Sequence, residues 1–149
     1  MTDDSMYILD TNVISELRQG KPRQSAAVRA WAAGVPAGSL YLSAITVLEL
    51  EMGVLQLERR TPPQGSALRS WLTGLRQSFR GRVLPFDETA AVLCAAPHTP
   101  NLRSGRDAMI AATAVHHGFA VVTRNTADFV GTGVNVINPW EGADITAMR

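Results

Sequence analysis

Four carboxylates occupy positions where chemistry is a natural question. Asp10 closes the apolar run MYIL at residues 6–9, and Glu49 lies inside the amphipathic stretch AITVLELEMGVLQLE. Asp107 opens the alanine-rich segment of SGRDAMIAATA, and Asp128 follows the strand-like AVVT by a few residues in TRNTADF. Gathered in one pocket, such acids would repel and raise one another's pKa unless a cation neutralised them. Mg²⁺ or Mn²⁺ suits a site made only of oxygen donors, because these hard ions keep several waters and bind phosphate oxygens of a substrate at the same time. The chemistry that follows is activation of water for in-line attack on a phosphodiester, with stabilisation of the leaving oxygen.

Each acid also has a purely structural explanation. Asp10, or Asn12 after it, could cap a helix beginning near Val13. Ser104-x-x-Asp107 and Asn125-x-x-Asp128 both fit capping boxes, and Glu49 could answer Thr46 in the same way. Only a fold that brings two strand ends and two helix flanks to one edge makes a common site of them.

The elements needed for that can be read from the pattern. Met6-Tyr7-Ile8-Leu9 predicts a short strand buried on both faces, as parallel strands usually are, with Asp10 at its carboxyl end. The rest alternates: helix 13–18, helix 24–33, a loop over 34–40, helix 44–59, a loop over 60–64, helix 65–79, strand 82–85, helix 87–95, a loop over 97–103, helix 105–117, strand 120–123, a helical turn 126–129 and strand 134–137. Such alternation predicts an α/β domain with a parallel central sheet covered by helices on both faces. In open sheets of this class ligands bind outside the carboxyl ends of the strands. Ser104 is the expected N-cap of helix 105–117, and Gly118 its stop. The preceding His116 and His117 are accounted for by the negative end of the helix dipole.

Helix 44–59 carries apolar residues on two sides. At 100° per residue Ile45, Leu48, Met52 and Leu55 share one side, and Leu50, Val54 and Leu57 the opposite one, with Glu49 on the flank of the first. One side needs the protein's own core and the other a second subunit, which predicts a homodimer.

The 149 residues fit a single domain, and no stretch approaches the ~18 to 20 apolar residues of a membrane span. The N-terminal MTDDSM is acidic where a secretion signal would be basic, so a cytoplasmic location is expected. A lone cysteine, Cys94, fits a core position better than a metal or disulfide role. The net charge of +1 hides an uneven distribution, because Lys21 is the single lysine among 14 basic residues and six arginines fall between Arg59 and Phe86 without an acid. Among these, Arg76, Arg80 and Arg82 are candidates for contact with a polyanion, a solvated helix face being the alternative.

The stretches LDTNVISEL, SAITVLELEMG, DAMIAATAVHHGFAVVTRNTADF and GVNVINPW together resemble the PIN-domain family, in particular the VapC and FitB toxins of bacterial toxin–antitoxin pairs. The resemblance runs from about Tyr7 to Trp140, in the family's order and spacing. It implies a three-layer α/β/α domain, usually dimeric, that cleaves RNA with Mg²⁺ or Mn²⁺. Asp10 and Asp107 match the family's metal-binding acids, Glu49 its glutamate, and Asp128 a fourth acid that acts through a water or holds the site's shape. Thr11, Asn12, Thr123 and Asn125 match polar neighbours of the site or substrate. Hydrolysis would leave a 5′-phosphate and a 3′-hydroxyl. A cognate antitoxin of the VapB or FitA kind, threading a segment across the acidic pocket, is implied as partner.

Two other readings compete. Receiver domains and haloacid-dehalogenase-like phosphatases also place aspartates at strand ends, but both need a lysine late in the fold, and the phosphatases a second aspartate that LDTN lacks. An inactive PIN fold serving as an RNA-binding or regulatory scaffold is the other, against which stands the retention of all four acids.

Overall fold

A computed structural model describes residues 5–18, 20–96 and 105–141. The loop expected over 97–103 and the cap expected at Ser104 lie outside the described residues. The elements run β1 (Tyr7–Leu9), α1 (Thr11–Glu16), α2 (Ala26–Ala33), a 3₁₀ turn (Ala37–Ser39), β2 (Leu40–Ser43), α3 (Ala44–Arg60), α4 (Pro62–Ser78), β3 (Val83–Leu84), α5 (Glu88–Ala95), α6 (Gly105–His117), β4 (Ala120–Val122), a second 3₁₀ turn (Thr126–Phe129) and β5 (Val136–Ile137).

All four strand pairings are parallel, in the order β3-β2-β1-β4-β5. The chain builds outward from β1 through β2 to β3, then returns to the other side of β1 for β4 and β5. The strand order therefore reverses between β1 and β4, the kind of crevice in which open α/β sheets bind ligands. The predicted fold class holds, with helices on both faces of the sheet. Leu9, Leu42 and Val122 face a core completed by Val13, Val28, Leu50, Val54 and Leu72 from α1 to α4. The alternate residues Ile8 and Val121 face Ile110, Ala111 and Ala114 of α6, with Ile45 and Phe129. Cys94 packs as a core residue against Ala108 and Ala112.

One strand escaped the sequence pattern. β2 occupies Leu40–Ser43, between the expected loop and the expected helix, and it pairs with both β1 and β3. Ser43 ends the strand and caps α3 at once, its hydroxyl accepting from the Ile45 N–H at 3.0 Å. Four residues between two breakers leave too little alternation to show a period.

Helix α3 buries Leu50 and Val54 on one side of the wheel; of the side flanked by Glu49 only Ile45 is buried, whereas Leu48, Met52 and Leu55 are 47%, 38% and 50% exposed, so that flank is not the inward one expected. Its partner α4 approaches so closely that a Cβ at Gly65 would lie 2.5 Å from the Glu58 Cα. The six-arginine segment is not a uniform patch. Arg69 is held between Glu51 and Glu58. Arg82 donates to the carbonyls of Ala37, Leu40 and Ser78 and lies over the Phe79 ring, 4.6 Å from its centroid. That corrects its candidacy as a phosphate contact, since its donors tie β2 to the end of α4.

The turn after α1 rests on a buried carboxylate. Glu16, 6% exposed, accepts the Ser25 backbone N–H at 2.6 Å and the Lys21 ammonium at 2.9 Å. The Ser25 bond first, then Lys21, hold its pKa below the ordinary 4.5. A carboxyl with a depressed folded pKa contributes stability above its unfolded pKa and loses it as the pH falls through the folded value. Glu16→Gln is expected to cost about 1.5–3 kcal/mol at neutral pH, the range for a hydrogen bond to a charged group. Thermal melts from pH 7 to pH 3 should show the wild type converging on the variant below pH 4.5. A constant gap across that range would mean that Glu16 charge is irrelevant.

Candidate active site

Strand register builds the centre of the site. Leu9 pairs with Val122, so the residues that follow, Asp10 and Thr123, emerge side by side from the carboxyl ends of β1 and β4. The Asp10 N–H continues the ladder to the Val122 carbonyl, and the Thr123 N–H bonds the Ile137 carbonyl. Thr123 then donates its hydroxyl to Asp10 Oδ2 at 2.8 Å, joining residues 113 apart in sequence. Asp10 Oδ1 accepts the Thr11 N–H at 2.9 Å and so caps α1, which starts at Thr11 rather than Val13. The capping reading of Asp10 therefore holds on one carboxylate oxygen, while the other is turned to Thr123 across the β1–β4 edge.

Asn12 is no cap. Its amide nitrogen donates to Thr123 Oγ1 at 3.2 Å and reaches Asp10 Oδ2 at 3.4 Å, while its oxygen accepts the Arg124 N–H at 3.1 Å. Asn125 adds a backbone N–H to Thr123 Oγ1 at 3.0 Å. Its side chain makes no capping bond, so the box proposed for Asn125 and Asp128 does not form. Nor does Glu49 answer Thr46, because α3 is capped by Ser43. Glu49 instead accepts the Thr11 hydroxyl at 2.6 Å on one oxygen and Arg106 Nε at 2.9 Å on the other.

Electrostatics single out Asp10. It is 5% exposed, and loss of hydration pushes its pKa up. The bonds from Thr123 and Thr11 oppose that shift, and the charges of Glu49 and Asp128 reinforce it. Asp128 is exposed in the 3₁₀ turn after β4 yet near enough for its charge to act on Asp10. Asp107 is half-buried in the first turn of α6, next to the Arg106 that reaches Glu49. Arg76 and Arg80 stand apart, lining a cavity of about 510 Å³ with Ala44, Val47 and Val83.

Among the described residues no three acids, histidines or cysteines are grouped so that together they could form a cage for a metal ion. A cage is not what Mg²⁺ needs, since it is usually held by one or two carboxylates and completed by water and substrate oxygens. The donor set fits such an open site: it is all oxygen, and the buried Asp10 carries charge repulsion that a cation would relieve.

The family model for the PIN domain matches residues 7–132. The chain belongs to the PIN-domain family. Among relatives, the VapC ribonuclease Y4jK of Sinorhizobium fredii is 46% identical over 146 residues, covering 93% of this chain and all of the relative. Toxin FitB of Neisseria gonorrhoeae is 40% identical over 144 residues, covering 91% and 99% respectively. The crystal structure of FitAcB from Neisseria gonorrhoeae superposes with a TM-score of 0.82 at 38% identity, covering 91% of this chain and 99% of the other. This PIN domain is thus of the VapC and FitB type, and the predicted resemblance holds.

Sequence reasoning missed one participant. It is Arg106, and no local pattern points to it, because the Glu49 it grips lies 57 residues away.

Proposed function

We propose that the protein is a Mg²⁺- or Mn²⁺-dependent endoribonuclease, the toxin of a VapBC-type pair, acting as a single-domain subunit in the cytoplasm. The observation that carries this reading is the buried Asp10 at the β1–β4 switch point, clamped by Thr123 and destabilised by neighbouring acids in a PIN fold. The VapC relative is named a ribonuclease, and the FitB relative a toxin.

Asp10 and Asp107 would hold the ion, which when bound would lower the pKa of a water and offset charge developing on the phosphate. The protein's own work is positional. Thr123 and the Thr11 amide fix both oxygens of Asp10, and Asn12 and Asn125 fix Thr123 in turn. Thr11 holds Glu49 at the same edge. Water adds to phosphorus as the P–O3′ bond breaks, giving a 5′-phosphate and a 3′-hydroxyl; the water's proton passes to solvent or a site carboxylate, and O3′ takes a proton from solvent.

Two surfaces suit the expected partners. A groove of about 550 Å³ is lined by Thr11 and Glu49 and by the apolar Leu50, Leu57, Leu68 and Trp71, with the cations Arg18 and Lys21 also on its wall. A cognate antitoxin of the VapB or FitA kind would lie there, with an apolar segment and a basic side chain at the acids. The exposed Leu48, Met52 and Leu55 of α3 suit a second copy of the chain. No helix among the described residues is long and apolar enough to cross a membrane.

The test is cleavage of a panel of structured RNAs, tRNAs and ribosomal fragments included, by antitoxin-free protein with Mg²⁺ or Mn²⁺. Cuts abolished by EDTA and by Asp10→Asn are expected; a protein that binds RNA but never cuts would be the inactive scaffold. Arg76 and Arg80, both exposed, are proposed to contact the RNA backbone. Replacing both with alanine should make the salt dependence of binding shallower by roughly 0.7 per arginine, as for single-stranded RNA. An unchanged slope would assign them to a solvated surface.

A further inference from the structure

A nuclease site built of acids repels the polyanion it must bind. Something fixed and cationic has to receive the phosphate beside the metal position, and the described arginines differ sharply in what occupies them. Arg69 and Arg82 are committed to Glu51 and Glu58 and to backbone carbonyls. Arg18 and Arg124 lie over the rings of Trp71 and Trp140, at 5.9 and 5.1 Å from the centroids. Arg76 and Arg80 line a cavity that shares no residue with the acid edge. Arg106 alone among them is paired with a site acid, at the end of the helix that also carries Asp107.

The way it is paired matters. Glu49 Oε2 takes the Nε–H at 2.9 Å, and its other oxygen is fixed by the Thr11 hydroxyl, so the carboxylate is a rigid anchor. A guanidinium anchored through Nε keeps its outer Nη1–Nη2 edge available, and among the described residues those two nitrogens make no hydrogen bond. The side chain is 52% exposed against 20% for Glu49, so the anchored end is covered and the fork is wet. That edge matches two phosphate oxygens in spacing and charge.

We propose that Arg106, anchored on Glu49, is the phosphate fork of the site, gripping non-bridging oxygens of the RNA backbone where the acids act. This inference rests on the nuclease reading above. It also gives Glu49 a second duty: beyond its place among the acids, it aims the arginine. The rival is a counter-ion role in which Arg106 only balances Glu49.

The experiment uses the full chain and an RNA that the wild type is found to cleave, fluorescein-labelled. In an Asp10→Asn background, which cannot cut, binding is followed by anisotropy across a KCl series. Arg106→Ala should weaken binding about tenfold and reduce the salt slope by roughly 0.7, one phosphate contact. Arg106→Lys should keep the slope and recover only part of the affinity, because an ammonium supplies charge without the fork. In the cleaving background Arg106→Ala should raise KM, while Mn²⁺ affinity by calorimetry, without RNA, is undiminished. Unchanged RNA affinity and slope in Arg106→Ala, with altered Mn²⁺ affinity or melting temperature, would overturn the proposal in favour of the counter-ion. If the wild type cleaves no RNA, the nuclease reading itself fails, which the panel reveals before any Arg106 variant is made.

Discussion

Asp10→Asn should reduce cleavage by at least about 10³-fold, roughly 4 kcal/mol of transition-state stabilisation, while leaving a folded protein. The expectation follows from where Asp10 stands. Its carboxylate is the most buried of the candidate acids and is oriented by two donors, so a metal ion there has no mobile substitute to recruit. An asparagine keeps one oxygen for the Thr11 amide and so can still cap α1, but it surrenders the charge and the acceptor facing Thr123. Cleavage kinetics on the RNA panel, together with thermal melts over a Mn²⁺ series, give the two readouts. Wild-type protein should gain stability with ion concentration, as any ligand of the native state requires, and the variant should not. A variant that still cuts at the normal rate would remove Asp10 from the chemistry.

Gly65→Ala should destabilise the fold by about 3 kcal/mol or more, although it adds only a methyl group. The added Cβ would lie 2.5 Å from Glu58 Cα, 2.6 Å from Glu58 N and 2.8 Å from Glu58 Cγ. Two of these are backbone atoms of α3 and cannot rotate away, so α4 must shift. Overpacking usually costs about 1–3 kcal/mol, and the rigid opponent places this site at or beyond the upper end. The displaced pair of helices includes Leu72 of α4 against Leu50 and Val54 of α3, and the ion pairs from Arg69 to Glu51 and Glu58. Chemical denaturation measures the loss directly. A midpoint within experimental error of the wild type would show that the hairpin opens freely at that point. Gly53, on the exposed side of α3 with open space around a Cβ, is the control: Gly53→Ala should be neutral or slightly stabilising through helix propensity.

The sequence revealed what is local. Apolar runs marked β1 and β4, the two-sided wheel of α3 separated Leu50 and Val54 from Leu48 and Met52, and Gly118, at φ +75°, ends α6 as its position implied. What it concealed is the joining of distant residues. β2 was lost because Ser43 serves two elements at once and leaves no periodic stretch between Ser39 and Ala44. Capping logic offered Thr46 as the partner of Glu49, whereas the fold supplies Thr11 from one side and Arg106 from the other. The arginine segment looked uniform because composition carries no direction. Folding turns Arg69 and Arg82 inward to structural partners and leaves Arg76 and Arg80 outside. The four acids were legible as types and spacings; the Thr123 clamp that makes Asp10 the centre depends on a strand register that only the paired sheet defines.

The central position of β1 bears on how a cell makes such a protein safely. The first strand to leave the ribosome is flanked by β2 and β4, and Asp10 meets Thr123 only after another 113 residues have been translated. At about 5–20 residues per second, that is an interval of roughly 6 to 23 seconds. Throughout it the Asp10 carboxylate has neither its clamp nor Asp128 nearby, because the strand and turn that bring them are still unmade. On the nuclease reading proposed above, a nascent chain would therefore be inert toward the RNAs that surround it during translation. The clamped Asp10 site is complete only with the docking of β4, and on the same reading a partner synthesised alongside would have had that interval to fold.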